Sequence, residues 1–487
     1  MYTELKLLID GKWIGTEARD GLAVHNPATG HVLGYLPVAT AVDIAEAAQA
    51  ASRSFAGWAE RTALERGRIL ARIAAIIRER TAELAPILTL EQGKPLREAE
   101  AEIMSAADNF EWMAEEGKRL YGLLVPSRFA GAEQQVLYRP IGPVAAFSPW
   151  NFPAVLATRK IATALAAGCP IVLKPAEETP GILVAIARIC VEAGVPDGVL
   201  NILFGKPAEI SEALIRSPLI RKVTFTGSLP VGRHIATLCG AEMKPVTLEL
   251  GGHSPVIVMD DIDVDAVVSM SIVAKFRNAG QICMCPTRFF VHHTVIRRFS
   301  TEFAERSQSL RVGDGMNETT QMGPLANARR LSAMQNLISD AHKKGARLLC
   351  GGKRHAAAAS EGNYWEPTVI TDVPDSAAIL TEEPFGPIAV INPILSVEEA
   401  LRRANATPYG LASFAFTGSV NTVRKIRDGI VAGTLSINSF SVSPPEMPFG
   451  GIKESGLGVE MGKEGILSYC DIKSFILADA PTTTIRQ

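Results

Sequence analysis

The strongest constraint on the fold is an alternation between residues 142 and 255. Short apolar runs at 144–147, 171–173, 200–203, 223–225 and 246–250 are separated by helical patterning, as at 160–167, 181–193 and 231–238. Runs this short and this apolar read as strands buried on both faces. Helices between them make parallel crossovers, hence βαβ units and a doubly wound sheet. In such sheets ligands bind beyond the carboxyl ends of the strands, so the residues that follow each strand are the first candidates for function.

The rest of the chain sets bounds. Its 487 residues are enough for more than one domain and a large core. Asp10-Gly11 between apolar runs predicts a tight hairpin, and three helical stretches follow at 42–59, 61–89 and 96–118. Residues 121–142 change to short strand-like pieces, as at 135–139. Apolar residues make up 47% and charged residues 21%, which suits an ordinary globular chain. A net charge of −2 gives no reason to expect nucleic acid as a partner. No apolar run is long enough to span a membrane, and the start lacks signal-peptide architecture. Seven cysteines without disulfide-framework or zinc-ligand spacing point to a reducing, cytoplasmic setting and to no metal.

One of those cysteines stands out by position. Val264, Val268, Ile272, Phe276 and Ala279 recur at helical spacing, with Asp263 as a cap and Gly280 as a stop. Cys283 then falls in a short junction before the apolar run 289–291. A lone cysteine is most often a small buried hydrophobe. The preceding helix turns its negative end toward this one, which disfavours the reactive thiolate. Lys275 and Arg277 are the basic residues nearby in sequence.

Gly280-Gln281-x-Cys283, followed by Arg288, resembles the catalytic-cysteine motif of aldehyde dehydrogenases. The likeness extends from Asp10-Gly11 to Asp471-Ile472-Lys473. It implies an α/β fold of two doubly wound parallel-sheet domains plus a β oligomerisation arm. The implied cofactor domain is 1–121 with 142–249, the catalytic domain 250–465, and the arm 122–141 with 466–487, giving a homodimer or homotetramer. Pro149-Trp150-Asn151-Phe152-Pro153 is similar to the family segment whose Asn amide stabilises an oxyanion. Asn151 takes that role by resemblance, with the Cys283 backbone N–H as second donor, and Trp150 falls on the cofactor side. Lys174 and Glu177 are implied to bind the adenosine ribose. A carboxylate there accepts bonds from the ribose hydroxyls but repels a 2′-phosphate, which favours NAD, with NADP still possible. Gly227 and Ser228, before a helix starting near Pro230, resemble the segment that meets the pyrophosphate. Glu249 matches the general base, Glu383 the residue that holds the nicotinamide ribose, and Phe385 the residue packed near the ring. Residues 448–456 match a further family signature near the substrate mouth. After it, Val459 stands where the family usually has Arg, while Glu460 is kept.

The implied reaction is oxidation of an aldehyde through a Cys283 thioester that Glu249-activated water releases. Arg159 and Arg277 match the arginines that bind the substrate carboxylate in succinate-semialdehyde dehydrogenases, and Ser443 adds a hydroxyl. The segment around Ser443 also looks like that of α-ketoglutaric-semialdehyde dehydrogenases. Both substrates carry a carboxylate remote from the aldehyde, which suits bidentate arginine. Arginines on a helix surface, serving an enzyme for uncharged aldehydes, are the alternative. A CoA-acylating enzyme would lack Glu249, and a cofactor-free thiol hydrolase would want a histidine beside Cys283. A non-catalytic relative would form no NADH.

Overall fold

The computed structural model describes residues 2–17, 19–356 and 361–479. Residues 480–487 of the expected arm lie outside the described residues.

Two large sheets organise the chain. The first runs, edge to edge, Gly456–Leu457, Val246–Glu249, Lys222–Thr226, Val144–Ser148, Ile171–Pro175, Leu200–Ile202, Leu7–Ile9 and Lys12–Ile14. Its five middle strands are parallel, and its antiparallel edges are the N-terminal hairpin and Gly456–Leu457. The second runs Arg347–Cys350, Thr368–Thr371, Ile388–Ile394, Pro286–His292, Ser254–Val258, Ala412–Phe416 and Thr434–Ile437, parallel except at its first edge. Each sheet has its own apolar core. The strands at the centre are buried along their whole length because helices cover both faces.

Helix starts follow local chemistry. Thr40 and Asp43 form a capping box for Ala41–Ala59, and Thr62 and Glu65 do the same for Ala63–Glu79. The single helix expected over 61–89 is two, Ala63–Glu79 and Thr81–Gln92, broken where Arg80 leaves helical dihedrals. The apolar phase Leu70, Ile73, Ala74, Ile77 runs on into Leu84, Ala85 and Leu88, so periodicity alone does not reveal the break. Helix Pro153–Ala167 is almost wholly buried and packs under helix Leu96–Glu116.

Leu123–Val125, Ala132–Pro140 and Cys470–Ala478 form a separate three-stranded antiparallel sheet. It exposes Leu124, Ile472 and Ile476 by 82%, 70% and 62%. Among the described residues no helix is long and apolar enough to cross a membrane.

Candidate active site

Strand Val144–Ser148 lies between Ile171–Pro175 and Lys222–Thr226, so the order of the first sheet reverses there. The crevice at such a reversal is where parallel sheets bind ligands. Trp150 and Asn151 follow one strand, Gly227 and Ser228 the other, and all four line a cavity of about 370 Å³ with Cys283, Glu383 and Phe385. Helix Leu229–Ala241 starts at this cavity with no side-chain cap, so its first N–H groups remain available to an anion. Trp150 and Phe385 meet edge to face at 5.5 Å.

The opposite wall comes from the second sheet. Helix Val264–Phe276 is capped by Asp263 as expected, but it stops at Phe276, short of Gly280. Asn278, Ala279 and Gly280 are then all left-handed, which turns the chain sharply toward Cys283. Gly280 is required twice over: its φ is +72°, and a Cβ would sit 2.2 Å from the Gly386 carbonyl oxygen. A Cβ on Gly252 would come within 2.5 Å of the Cys283 carbonyl oxygen. The Asn151 amide donates to the Gln281 carbonyl at 3.1 Å. That leaves its second N–H free for another acceptor.

Electrostatics around the thiol are unfavourable to its anion. Burial, then the Glu383 and Glu249 carboxylates, push Cys283 up to about 12, with Arg159 opposing. Lys275 does not reach this sulfur. It donates to Cys285 Sγ at 3.2 Å and to the Gly386 carbonyl at 3.1 Å. Glu249 is buried, and burial together with the Glu460 carboxylate raises it well above the usual carboxylate range. Lys160 pairs with Glu460 and donates to Thr224 and Thr226 hydroxyls at 3.1 and 2.8 Å. Burial pushes Glu383 up to about 8, although it accepts a bond from the Gly252 N–H at 3.1 Å.

A second cavity, also of about 370 Å³, opens on the other side of Cys283 and Asn151. Arg159, Arg277 and Ser443 line it, with Phe152, Phe440 and Phe449 between. Arg159 donates to the Ser443 hydroxyl and lies 5.3 Å over the Phe449 ring, while Arg277 lies 5.2 Å over Phe152. Neither guanidinium has a carboxylate ion-pair partner among the described residues, and Arg159 Nε is buried without a partner. Lys174 and Glu177 pair with each other at the end of strand Ile171–Pro175 and do not line either cavity. Thus two cavities converge on one cysteine and one amide.

Residues 13–475 match the model of the aldehyde dehydrogenase family. The chain belongs to that family. It is 47% identical over 97% of its length to a 4-(hydroxymethyl)benzenesulfonate dehydrogenase of Comamonas testosteroni, covering 98% of that protein. It is 41% identical to the NADP(+) succinate-semialdehyde dehydrogenase of Escherichia coli, over 96% of each chain. A crystal structure of succinate-semialdehyde dehydrogenase from Burkholderia pseudomallei superposes with a TM-score of 0.95 at 42% identity, over 98% of each chain.

Several residues of this aldehyde dehydrogenase site escaped the sequence reading. Arg330 lies 5.7 Å over Phe385 and lines the first cavity. Phe440 adds to the apolar wall of the second. Lys160 is fully buried, and a lysine in a helix whose remaining residues, Arg159 apart, are apolar or small was the available signal. Lys94, Glu98 and Glu102 hold the loops of the site from helix Leu96–Glu116 and the turn before it, through backbone partners that no sequence pattern reveals.

Proposed function

We propose that this enzyme oxidises a semialdehyde bearing a remote carboxylate, succinic or α-ketoglutaric semialdehyde, to the dicarboxylic acid, with NAD preferred over NADP. The observation that carries this reading is the convergence of two cavities on Cys283, one lined by Gly227, Ser228 and Glu383, the other by two arginines without ion-pair partners. The first has what a dinucleotide needs: an open helix N-terminus, a carboxylate for ribose hydroxyls, and the Trp150–Phe385 pair for a flat ring. On this reading the bound cofactor supplies the hydride acceptor.

The chain's own groups do the rest. Arg159, Arg277 and Ser443 hold the carboxylate and aim the aldehyde at Cys283. The thiolate adds to the aldehyde carbon, giving a thiohemiacetal on sulfur. Its oxyanion takes the free N–H of Asn151 and the Cys283 backbone N–H. Loss of hydride leaves a thioester, and Glu249 takes a proton from the water that hydrolyses it. Burial, then the Glu460 carboxylate, make Glu249 more basic than an exposed carboxylate, which suits that step. Glu177, paired with Lys174, accepts the adenosine ribose hydroxyls and disfavours a 2′-phosphate. In domain terms, 1–121 with 142–249 binds cofactor and 250–465 supplies the nucleophile. The arm of 122–141 with the strand after 466 joins subunits into a homo-oligomer, which would cover Leu124, Ile472 and Ile476.

A sulfonate is the second reading. Guanidinium groups bind it as they bind carboxylate, and the relative at 47% identity is named for an aryl sulfonate. Absorbance of the reduced nicotinamide, measured with NAD or NADP against semialdehydes, 4-formylbenzenesulfonate and butanal, with and without CoA, decides between them. The proposal expects NADH from the semialdehydes without CoA. Preference for butanal, or a requirement for CoA, would contradict it.

A further inference from the structure

Three charged residues outside both the nucleophile loop and the cofactor loops touch the backbone of the site. Lys94, Glu98 and Glu102 recur every fourth residue along the turn into helix Leu96–Glu116 and so share one stripe. Lys94 Nζ pairs with Glu102, donates to the Asn151 carbonyl at 2.9 Å and lies 3.9 Å over the Phe152 ring. Glu102 accepts from the N–H groups of Ala154 and Val155 at 2.9 and 3.3 Å, which caps helix Pro153–Ala167 just beyond Asn151. Glu98 accepts from the Asn278 N–H at 2.7 Å, where the left-handed turn toward Cys283 begins. Asn278 closes the circuit: its amide donates to the Asn151 carbonyl at 2.9 Å and to the Gln281 carbonyl at 3.2 Å.

We propose that Lys94, Glu98 and Glu102 are the positioning residues of the oxyanion site. Lys94 and Glu102 fix the Asn151 backbone, and Glu98 fixes the turn that aims the Cys283 N–H. The division follows from the contacts. The Asn151 carbonyl takes two donors, Lys94 and Asn278, so its peptide plane is held from two directions. Its side-chain amide, anchored on Gln281, then projects its second N–H in one direction. Lys94 and Glu102 are each only 1% exposed, and opposite charges paired this closely largely cancel at a distance. Their contribution is therefore geometric, and a donor misplaced by about 1 Å loses much of its effect on a transition state.

This inference rests on the reading of Asn151 as an oxyanion donor, and the test separates the two. The burst rate of NADH formation and the Kd for NAD are measured for Lys94→Met with Asn151 intact and with Asn151→Ala. With Asn151 intact, Lys94→Met is expected to slow the burst about tenfold or more while Kd for NAD moves less than about twofold. In the Asn151→Ala background the same change is expected to cost less than about threefold, because the group it positions is gone. Glu98→Leu, acting through the other donor, is expected to cost similar factors in both backgrounds. Should Lys94→Met fail to fold with Glu102 left unpaired, Lys94→Met/Glu102→Gln carries the same comparison. Equal losses from Lys94→Met in both backgrounds, or no loss in either, overturn the proposal while leaving Asn151 in its role. A silent Asn151→Ala overturns the oxyanion reading itself, and the positioning proposal with it.

Discussion

The two parallel sheets face the site with opposite ends. The first presents the carboxyl ends of Val144–Ser148, Lys222–Thr226 and Val246–Glu249. These deliver Asn151 and Gly227 to the first cavity, while Glu249 lines neither cavity but lies near enough for its charge to act on Cys283. The second presents amino ends: Cys283 precedes Pro286–His292, and Glu383 and Phe385 precede Ile388–Ile394. The difference is one of electrostatics. Helix N-termini gather at the carboxyl edge and favour anions such as a pyrophosphate. At the amino edge the chain arrives from a helix C-terminus, and a thiolate gains nothing from it. Burial and the Glu383 and Glu249 carboxylates push Cys283 up to about 12 there. What the amino edge offers instead is sharp backbone. Asn278, Ala279, Gly280 and Phe385 are all left-handed, so side chains are aimed by strained turns rather than by strand ends.

The contrast can be broken by separating binding from chemistry. Cys283→Ala should abolish aldehyde oxidation, by roughly 10⁴-fold or more, while Kd for NAD from the carboxyl edge changes little. A parallel loss of NAD binding would show that the edges are not separable. Glu249→Gln should leave the burst of NADH and slow steady turnover by roughly 10²–10⁴-fold. A vanished burst with competent hydrolysis would assign Glu249 elsewhere. Alkylation of cofactor-free Cys283 by iodoacetamide should rise about tenfold per pH unit from 7 to 10, because the thiolate fraction grows that way below a value of about 12. A plateau below pH 9 would mean that a cation already stabilises the anion. Arg159→Met or Arg277→Met should cost about tenfold or more in kcat/KM for a semialdehyde and hardly touch butanal. The smallest effect is expected for Glu177→Ser, a several-fold shift of preference toward NADP, and an unchanged ratio would remove Glu177 from the ribose.

Much of the carboxyl edge was legible in the sequence, because strand, turn and helix start lie within a few residues. Trp150, Asn151, Gly227 and Ser228 fall together where the alternation of apolar runs put them. Glu249 shows the limit of that reading. Its residue type alone suggests a solvent-facing position, yet it is buried, because the strand end is covered and Glu460 arrives from Gly456–Leu457 pairing at the sheet edge. Lys174 and Glu177, which the resemblance assigns to the adenosine ribose, pair with each other and line neither cavity. The positioning residues were invisible for a plainer reason. Lys94 and Glu98 bond to backbone groups 57 and 180 residues away, and a backbone carbonyl or N–H carries no sequence mark. The break at Arg80 was hidden because the apolar phase continues across it.

In the proposed reaction, cofactor and carboxylate-bearing aldehyde meet at Cys283. Mass spectrometry of Glu249→Gln, mixed with succinic semialdehyde in the presence or absence of NAD, tests it most directly. The expected result is one succinyl group on the peptide containing Cys283, accumulating only when NAD is present and matched by one NADH per acylated subunit. An acyl group on another residue, or none on Cys283 despite NADH formation, would contradict it.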